Sequence, residues 1–222
     1  MKMLADLFRG SLVRLAALDA ERDAPTLARW SLDSEYLRLL DSDPVRPRTA
    51  KQWQDDLARH EGKDSNFPFG IRTLAVSVTV AGDAPPAAGV TVVSDTPPAA
   101  SAKVAGDAPP EEDHLIGFVG LWVVNWASAE AMVGIGLGDR NYWGRGYGTD
   151  AMRLVVNYGF AELNLARVSL EAFAYNTRAI RSYEKAGFSQ EGRQRERMRR
   201  DGQRLDVVRM GILRATPEGG RA

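Results

Sequence analysis

The stretch MVGIGLGDRNYWGRGYGTDAMRLVVNYGFAEL, residues 132–163, decides how the rest of the chain is interpreted. It opens with apolar residues separated by glycines, which predicts a buried strand whose backbone another group approaches closely. A polar turn follows, and three more glycines then alternate through WGRGYGT, residues 143–149. Beyond them apolar residues recur at three- and four-residue steps, which predicts an amphipathic helix. Those positions are Met152, Val155, Val156, Phe160 and Leu163.

The glycine-rich turn therefore lies between a predicted strand and the N-terminus of a predicted helix. The first N–H groups of a helix have no intrahelical partner, and the helix dipole adds positive potential there. Glycine lets a phosphate come close to the backbone, and Arg145 adds a full positive charge beside the turn. The arrangement predicts an anion site for a ligand that carries a pyrophosphate.

One class of protein that uses such a turn binds dinucleotides. In that interpretation residues 167–172 form the next strand, and Glu171 at its end holds the ribose. That fingerprint normally opens its domain, however, and only about fifty residues follow Glu171. They are too few to complete a doubly wound sheet, so a dinucleotide-binding oxidoreductase is the less favoured alternative.

A second motif lies downstream, AFAYNTRAIRSYEKAGF, residues 172–188. Together with the glycine turn it resembles the GCN5-related N-acetyltransferases, the GNAT superfamily, and within it the ribosomal-protein N-acetyltransferase-like branch. The resemblance covers about residues 10–213 in element order, and its specific motifs lie between residues 132 and 188. It implies one α/β domain over residues 1–222, with a core of about 10–214. A mixed, mostly antiparallel central sheet flanked by helices and an acetyl-CoA cofactor are expected with it.

The family's glycine pattern reads Arg or Gln, two residues, Gly, one residue, then Gly or Ala. Gly146 and Gly148 fill the glycine positions, whereas Trp143 stands at the leading one. The expected phosphate cradle therefore depends on the backbone amides of residues 145–149. Asn176 is expected either to contact the pantetheine arm or only to cap its helix. The cofactor-binding residues that the resemblance implies are Ile135, Gly136, Leu137, Trp143, Gly144, Arg145, Gly146, Tyr147, Gly148, Thr149, Asn176 and Lys185.

Composition narrows the function classes. The 29 acidic and 29 basic residues balance, so no overall field indicates a nucleic-acid or membrane partner. No apolar run is long enough to span a bilayer and residues 1–10 lack a signal-peptide core, which makes the cytoplasm the expected location. The absence of cysteine excludes disulfides, thiolate metal sites and a cysteine nucleophile. His60 and His114 fit no metal spacing and are expected at the surface. The oligomeric state stays open, with a homodimer among the alternatives.

Upstream of the glycine stretch, residues 11–18 are expected to form a strand. Asp23 is expected to cap a helix that reaches Leu40, and a second helix is expected from Thr49 to Gly62. The resemblance implies that these helices wall the acceptor pocket, and a purely scaffolding role is the alternative. Strands are expected over 67–80, 115–126, 129–137 and 167–173, and a helix over 176–186.

Residues 81–113 interrupt this order with a segment rich in Ala, Pro, Gly and Asp, in which VAGDAPP occurs twice. Loops of this length in a compact domain are usually functional or disordered. We expect a surface insertion between two strands, in preference to a substrate lid, with residues 89–93 as a short extra strand.

The C-terminal segments 193–199 and 203–213 are expected to form a hairpin around Asp201-Gly202. Arginines alternate along its first strand and should share one face. A charged edge that discourages edge-to-edge pairing is the favoured explanation, and a docking face for an acidic substrate or phosphate is the alternative. The arginines are Arg193, Arg195, Arg197 and Arg199.

Acetyl transfer from a thioester to an amine needs a neutral amine, stabilisation of a developing oxyanion and a proton for the departing thiolate. Without cysteine and without a Gly-x-Ser-x-Gly motif, direct attack in a ternary complex is the economical mechanism. The resemblance assigns the general acid to Tyr183, whose alternative is packing in an apolar helix stripe. Glu171 and Glu130 are the candidate bases, and water is the third.

The resemblance implies a primary amine as the acceptor, in a small molecule or at a protein N-terminus. The sequence does not distinguish among protein N-termini, polyamines, aminoglycosides and amino-acid derivatives. A CoA-binding regulatory module without catalysis is the alternative function.

Overall fold

The computed structural model describes residues 6–60, 65–74 and 113–215, with the backbone alone at position 60. Within these ranges seven strands form one sheet in the order β1-β2-β3-β4-β5-β7-β6. Every neighbouring pair is antiparallel except β4 and β5. The mixed, mostly antiparallel sheet confirms the predicted fold class. The strands are β1 (Val13–Ala16), β2 (Asn66–Thr73), β3 (Leu115–Asn125), β4 (Glu130–Leu137), β5 (Arg167–Phe173), β6 (Ser189–Arg200) and β7 (Gln203–Leu213).

Five α-helices surround this sheet in the described part of the chain. The fourth packs its buried stripe, including Met152 and Val155, against Val119 of β3 and Val168 of β5. The first three helices pack around a second, smaller apolar cluster that includes Leu27. None of the helices in the described ranges is long and apolar enough to cross a membrane. The helices are α1 (Ala20–Trp30), α2 (Ser34–Leu40), α3 (Ala50–His60), α4 (Tyr147–Ala161) and α5 (Thr177–Ala186).

The parallel pair β4 and β5 is joined over a short distance only. Its register runs from Glu130 opposite Arg167 to Met132 opposite Ser169, and the two strands separate beyond that point. The edge of β4 that faces β5 therefore has unpaired backbone groups from residue 133 to Leu137, which an extended ligand could satisfy. A largely antiparallel sheet with one parallel pair is not doubly wound, so the dinucleotide-binding interpretation is wrong.

Gly136 of β4 and Gly138, just after the strand, make room for aromatic side chains of the same chain. A Cβ at Gly136 would lie 2.5 Å from the Tyr36 hydroxyl of α2, and one at Gly138 would collide with the Trp30 ring of α1. The predicted close approach to this strand is therefore confirmed, and the approaching groups are the protein's own rings.

The N-terminal helices differ from the expectation. Asp19 caps α1 by accepting hydrogen bonds from the N–H groups of residues 21 and 22, so the prediction that Asp23 is the cap is wrong. Asp23 lies one turn later and is buried against Arg72 of β2, with Oδ1 2.6 Å from Nη2. The expected single helix to Leu40 is two helices, because Asp33 caps α2 through the N–H of Tyr36.

The C-terminal hairpin is present and starts earlier than expected, at Ser189. Its pairing slips between Gln194 and Met198, where Glu196 has a left-handed φ of 52°. This bulge interrupts the regular pairing along the strand. All four arginines are exposed, and the single shared face stays a prediction. The predicted strand at 89–93, the end of the expected strand 67–80, Gly62 and the expected insertion up to residue 112 lie outside the described residues.

Candidate active site

The glycine turn ends at the N-terminus of α4, as the sequence predicts. Gly146 occupies the N-cap position with φ 92° and ψ −14°, a left-handed conformation that glycine adopts without strain. No side chain caps the helix, so the N–H groups of its first turn remain available to a ligand. Asp150 lies in that turn, but its carboxylate accepts the N–H groups of Leu12, at 2.7 Å, and Val13, at 3.1 Å.

A cavity of about 710 Å³, here called the glycine-turn cavity, extends from this helix end. Its floor is the unpaired half of β4, and its walls come from α2, the glycine turn and α5. All of the predicted cofactor residues border it except Arg145 and Tyr147. Arg145 is exposed and donates to the backbone oxygen of Asn141 at 3.2 Å, while Tyr147 packs edge-on against Tyr142, 4.9 Å away between ring centroids.

The glycine-turn cavity is positively charged. Arg153, Arg178, Arg181 and Lys185 border it, and none of them has an ion pair with a carboxylate among the described residues. Arg153 donates to the Lys185 backbone oxygen at 2.6 Å, which ties α4 to α5. Unpaired cations beside a free helix N-terminus suit a polyanionic ligand such as a pyrophosphate.

Trp143, which stands where the family pattern has Arg or Gln, has a clear structural role. Its indole N–H donates to the backbone oxygen of Leu137 at 2.7 Å, which fixes the turn to the end of β4. The Arg178 guanidinium lies 3.7 Å from the centroid of its ring, a cation–π contact. Burial lowers the pKa of Arg178, although Glu35 opposes the effect. Trp143 therefore positions a partly desolvated cation at the cavity wall.

Helix α5 carries the side chains at the inner end of the cavity. Asn176 caps this helix by accepting the Ala179 N–H at 3.2 Å, and Gly187 ends it with φ 105°. The Ser182 hydroxyl lies 2.7 Å from Oγ1 of Thr149, so α5 is hydrogen-bonded to the first turn of α4. The Asn176 side-chain oxygen is used by the cap, which leaves its amide N–H groups for a ligand.

A second cavity of about 580 Å³ lies on the other side of the strand separation. It is bordered by the loop after α2, by α3, by β2 and β3, and by the β6–β7 hairpin, and is here called the hairpin cavity. Helix α3 and the loop before it thus border the hairpin cavity, and α2 borders both cavities. The residues that border both cavities are Leu39, Leu40, Ile135, Asn176 and Tyr183.

Tyr183 is the titratable side chain at this junction. Its ring is half-buried and packs against Phe188, 6.4 Å away between centroids. Burial raises the pKa of Tyr183 to about 12, and Arg178 opposes the effect. No hydrogen bond of its hydroxyl to another described residue is present. The phenol is therefore protonated at neutral pH and free to donate.

The two predicted glutamates lie in different places. Glu171 on β5 borders the hairpin cavity together with Tyr183, and its Oε1 lies 3.5 Å from Nε of Arg209. Glu130, at the joined end of β4 and β5, borders neither cavity. Its Oε1 accepts the Ser169 hydroxyl at 3.0 Å and lies 3.4 Å from Nε of Arg167. The fold thus places Glu171 and Tyr183 at the same cavity and Glu130 outside both cavities.

Sequence reasoning missed several residues of the site. Tyr36 of α2 borders the glycine-turn cavity with a buried hydroxyl that has no partner among the described residues, and burial raises its pKa. No local pattern marks it. Arg178 and Ser182 could have been found, because they lie on the motif helix within one turn of Asn176 and Tyr183. His114 is half-buried, with Nε2 3.2 Å from Oδ2 of Asp139, and no metal-binding cluster occurs in the described ranges.

Comparisons with known proteins agree with this geometry. The sequence pattern of the acetyltransferase (GNAT) domain family matches residues 13–189. An uncharacterized N-acetyltransferase of Bacillus licheniformis, p20, is 32% identical over 104 residues, which are 47% of this chain and 58% of that protein. The spermidine N(1)-acetyltransferase of Escherichia coli K12 is 39% identical over 72 residues, or 32% of this chain and 39% of the relative. The chain thus spans about half the length of the curated relatives that it matches.

Among solved structures, the chain is similar to a spermidine N-acetyltransferase from Vibrio cholerae in complex with CoA and spermine. The TM-score is 0.67 at 19% identity, over 90% of this chain and 95% of the other. A GNAT-family acetyltransferase from Bacillus anthracis gives a TM-score of 0.66 at 16% identity, over 93% and 97%. At these identities the likeness shows a shared fold.

Proposed function

Because the chain belongs to the acetyltransferase (GNAT) domain family, we propose that it is an acetyl-CoA-dependent N-acetyltransferase that acts on a primary amine. The observation that carries the proposal is Tyr183, a protonated phenol at the junction of the two cavities. One cavity suits the cofactor, and the other leaves room for an acceptor. Placement in the ribosomal-protein branch stays a prediction.

The residues of the glycine-turn cavity fit the cofactor. The tight turn requires glycine at position 146, because that residue has a left-handed φ. Position 148 has no such requirement, since an added Cβ would lie in ordinary contact, 3.4 Å from Leu137 Cδ1. The free N–H groups of α4 and the unpaired cations are suited to the phosphates. The unpaired edge of β4 and the Asn176 amide are suited to the amide groups of the pantetheine arm. When bound, acetyl-CoA would supply an acetyl group activated as a thioester.

The chain's own residues then organise a direct displacement. A neutral acceptor amine would displace the sulfur at the acetyl carbon and would give its proton to a base at the hairpin cavity. Tyr183 holds a proton at its hydroxyl oxygen for the departing sulfur, and its raised pKa keeps that proton in place before the reaction. Most of the rate gain comes from holding both reactants at one junction.

Of the two candidate bases, Glu171 is better placed, because it borders the cavity that would hold the amine. Its Oε1 lies 3.5 Å from Nε of Arg209, and a carboxylate of this kind can accept a proton from the amine. Glu130 is occupied by Ser169 and Arg167 at the far end of β4. We therefore assign the base to Glu171, acting directly or through water.

The test is release of free thiol from acetyl-CoA in the presence of amine panels. The chain contains no cysteine, so a thiol reagent reports CoA alone. Amine-dependent release with a matching acetylated product is the expected result. Tight acetyl-CoA binding by calorimetry, without turnover on any amine, would favour the regulatory CoA-binding module instead.

A further inference from the structure

The hairpin cavity has a charge pattern that restricts its occupant. Three carboxylates border it, and two of them already have arginine partners. Asp56 lies 2.9 Å from Nη2 of Arg48 and 2.8 Å from Nη2 of Arg59. Glu171 is 3.5 Å from Arg209. A polycationic acceptor such as a polyamine needs carboxylates that are not already paired, and this cavity offers few.

The third carboxylate, Asp41, is also engaged. Its Oδ1 accepts the N–H of Asp43 at 3.2 Å and the hydroxyl of Ser42 at 3.4 Å, which shapes the loop after α2. One loop carboxylate in local hydrogen bonds does not make an acidic pocket for several ammonium groups.

Two hydrogen-bond donors without a protein partner among the described residues, in contrast, border the same cavity. Arg197 borders it and has no ion pair or hydrogen bond with any other described residue. Trp53 of α3 also borders it, and its indole N–H is buried without a partner in the described ranges. Unused donors of this kind favour a ligand that brings acceptor atoms, and above all an anionic one.

The position of Arg197 is built into the hairpin. The bulge around it is held by Asp206, whose carboxylate accepts Nε of Arg193 at 2.6 Å and the N–H of Glu196 at 2.9 Å. Arg204 also donates to the Glu196 carboxylate at 2.8 Å. Arg197 lies within this bulge, next to Met198, which also borders the cavity.

From this arrangement we infer that the acceptor carries a carboxylate as well as its amine, as a small amino acid does, and that Arg197 binds the carboxylate. The inference rests on the proposed acetyl transfer. A guanidinium binds a carboxylate through two parallel hydrogen bonds, which would orient the amine toward Tyr183 and Glu171 on the other walls. A volume of about 580 Å³ suits a small molecule.

The experiment compares amino acids with the amines that lack only the carboxylate, for example tyrosine with tyramine and histidine with histamine. Spermidine completes the panel. We expect kcat/KM for the carboxylated member of a productive pair to be higher by about tenfold or more, as for a hydrogen bond between charged groups. The two amines of a pair differ in pKa, so the decisive quantity is the ratio of their kcat/KM values and how that ratio changes on mutation.

Arg197→Gln should bring that ratio close to one, and Arg197→Lys should restore part of it. Arg199→Gln is the matched control, because Arg199 is exposed on the same strand and borders neither cavity. Its ratio should equal that of the wild type. Preference for spermidine or the decarboxylated amines, or an unchanged ratio in Arg197→Gln, would overturn the inference and leave acetyl transfer standing. Absence of thiol release with every amine would overturn both.

Discussion

The phosphate cradle gives a prediction whose size follows from the structure. Gly146 has φ 92° and ψ −14° at the N-cap of α4. An L-residue held in a left-handed conformation costs about 1–2 kcal/mol, and a β-branched one costs more. The nearest atom to an added Cβ would be Leu12 Cδ1, at 3.3 Å, which is the movable end of a side chain. Backbone strain therefore dominates the effect of Gly146→Val.

Relaxing this strain requires the turn to rotate, which displaces the N–H groups of the first turn of α4. A loss of about 1–2 kcal/mol of anion binding corresponds to about a 5- to 30-fold rise in Kd. A domain whose stability is about 5–15 kcal/mol survives such strain, so Gly146→Val should still fold. Acetyl-CoA binding is measured by calorimetry, and folding by a cooperative thermal transition.

Gly202→Val is the matched control. Gly202 lies in the turn between β6 and β7 with φ 75°, an added Cβ there would meet no atom within 4 Å, and the residue borders neither cavity. The substitution therefore introduces the same backbone strain away from the cradle, and its Kd should stay close to that of the wild type. A folded Gly146→Val protein with unchanged Kd, or an equal loss in both variants, would refute the proposed cradle.

Three further predictions concern the base, the buried ion pair and the turn. Glu171→Gln should lower turnover by about a hundredfold and remove the acidic limb of the pH–rate profile, whereas Glu130→Gln should leave both nearly unchanged; equal losses in the two variants would contradict the assignment. Asp23→Asn should cost about 3–5 kcal/mol in urea unfolding, because it leaves the Arg72 charge buried without its partner. Burial alone would raise the pKa of Asp23, but hydrogen bonds from the Asp19 N–H, Arg72 and Arg22 lower it overall. The stabilisation from the ionised Asp23 is therefore complete above the ordinary carboxyl pKa, and it is lost as the pH falls through the lower pKa of the folded state. A wild-type free energy of unfolding that does not decrease in acid would contradict this. Trp143→Phe keeps the ring under Arg178 but removes the donor to Leu137, so the free energy of unfolding should fall by about 0.5–1.5 kcal/mol; an unchanged transition would show that this bond contributes nothing.

The parts of the fold that sequence predicts well are those set by neighbouring residues. The stripe of α4, the caps Asn176 and Gly187, and the hairpin turn at residues 201–202 all depend on groups a few positions apart. The glycine turn is local in the same way, because it requires only that residue 146 can adopt a left-handed φ.

The N-terminal helices show why other elements could not be predicted. Asp19, Asp23 and Asp33 are all acceptable caps by local criteria. Asp23 does not cap the helix, because its carboxylate is buried against Arg72, a residue 49 positions away. Apolar periodicity continues through the break near Asp33, so it does not reveal that α2 is a separate helix.

The candidate site divides in the same way. Its cofactor side is contained in two contiguous motifs, which is why the residues around Gly146 and Tyr183 could be named in advance. Tyr36 and Arg197 come from distant segments of the chain, Tyr36 through the packing of α2 over β4 and Arg197 through the pairing of the β6–β7 hairpin. The separation of β4 from β5, which creates the junction itself, depends on pairing that no local pattern encodes.

The most direct test of the central claim is turnover of Tyr183→Phe, measured with an acceptor from the amine panel, beside acetyl-CoA affinity on the same protein. The substitution keeps the ring that packs against Phe188 and removes only the hydroxyl. A general acid predicts a turnover about a hundredfold lower with the Kd for acetyl-CoA little changed, because the proton is needed only as the sulfur departs. Near-wild-type turnover in the folded variant would contradict the account and remove Tyr183 from the chemistry.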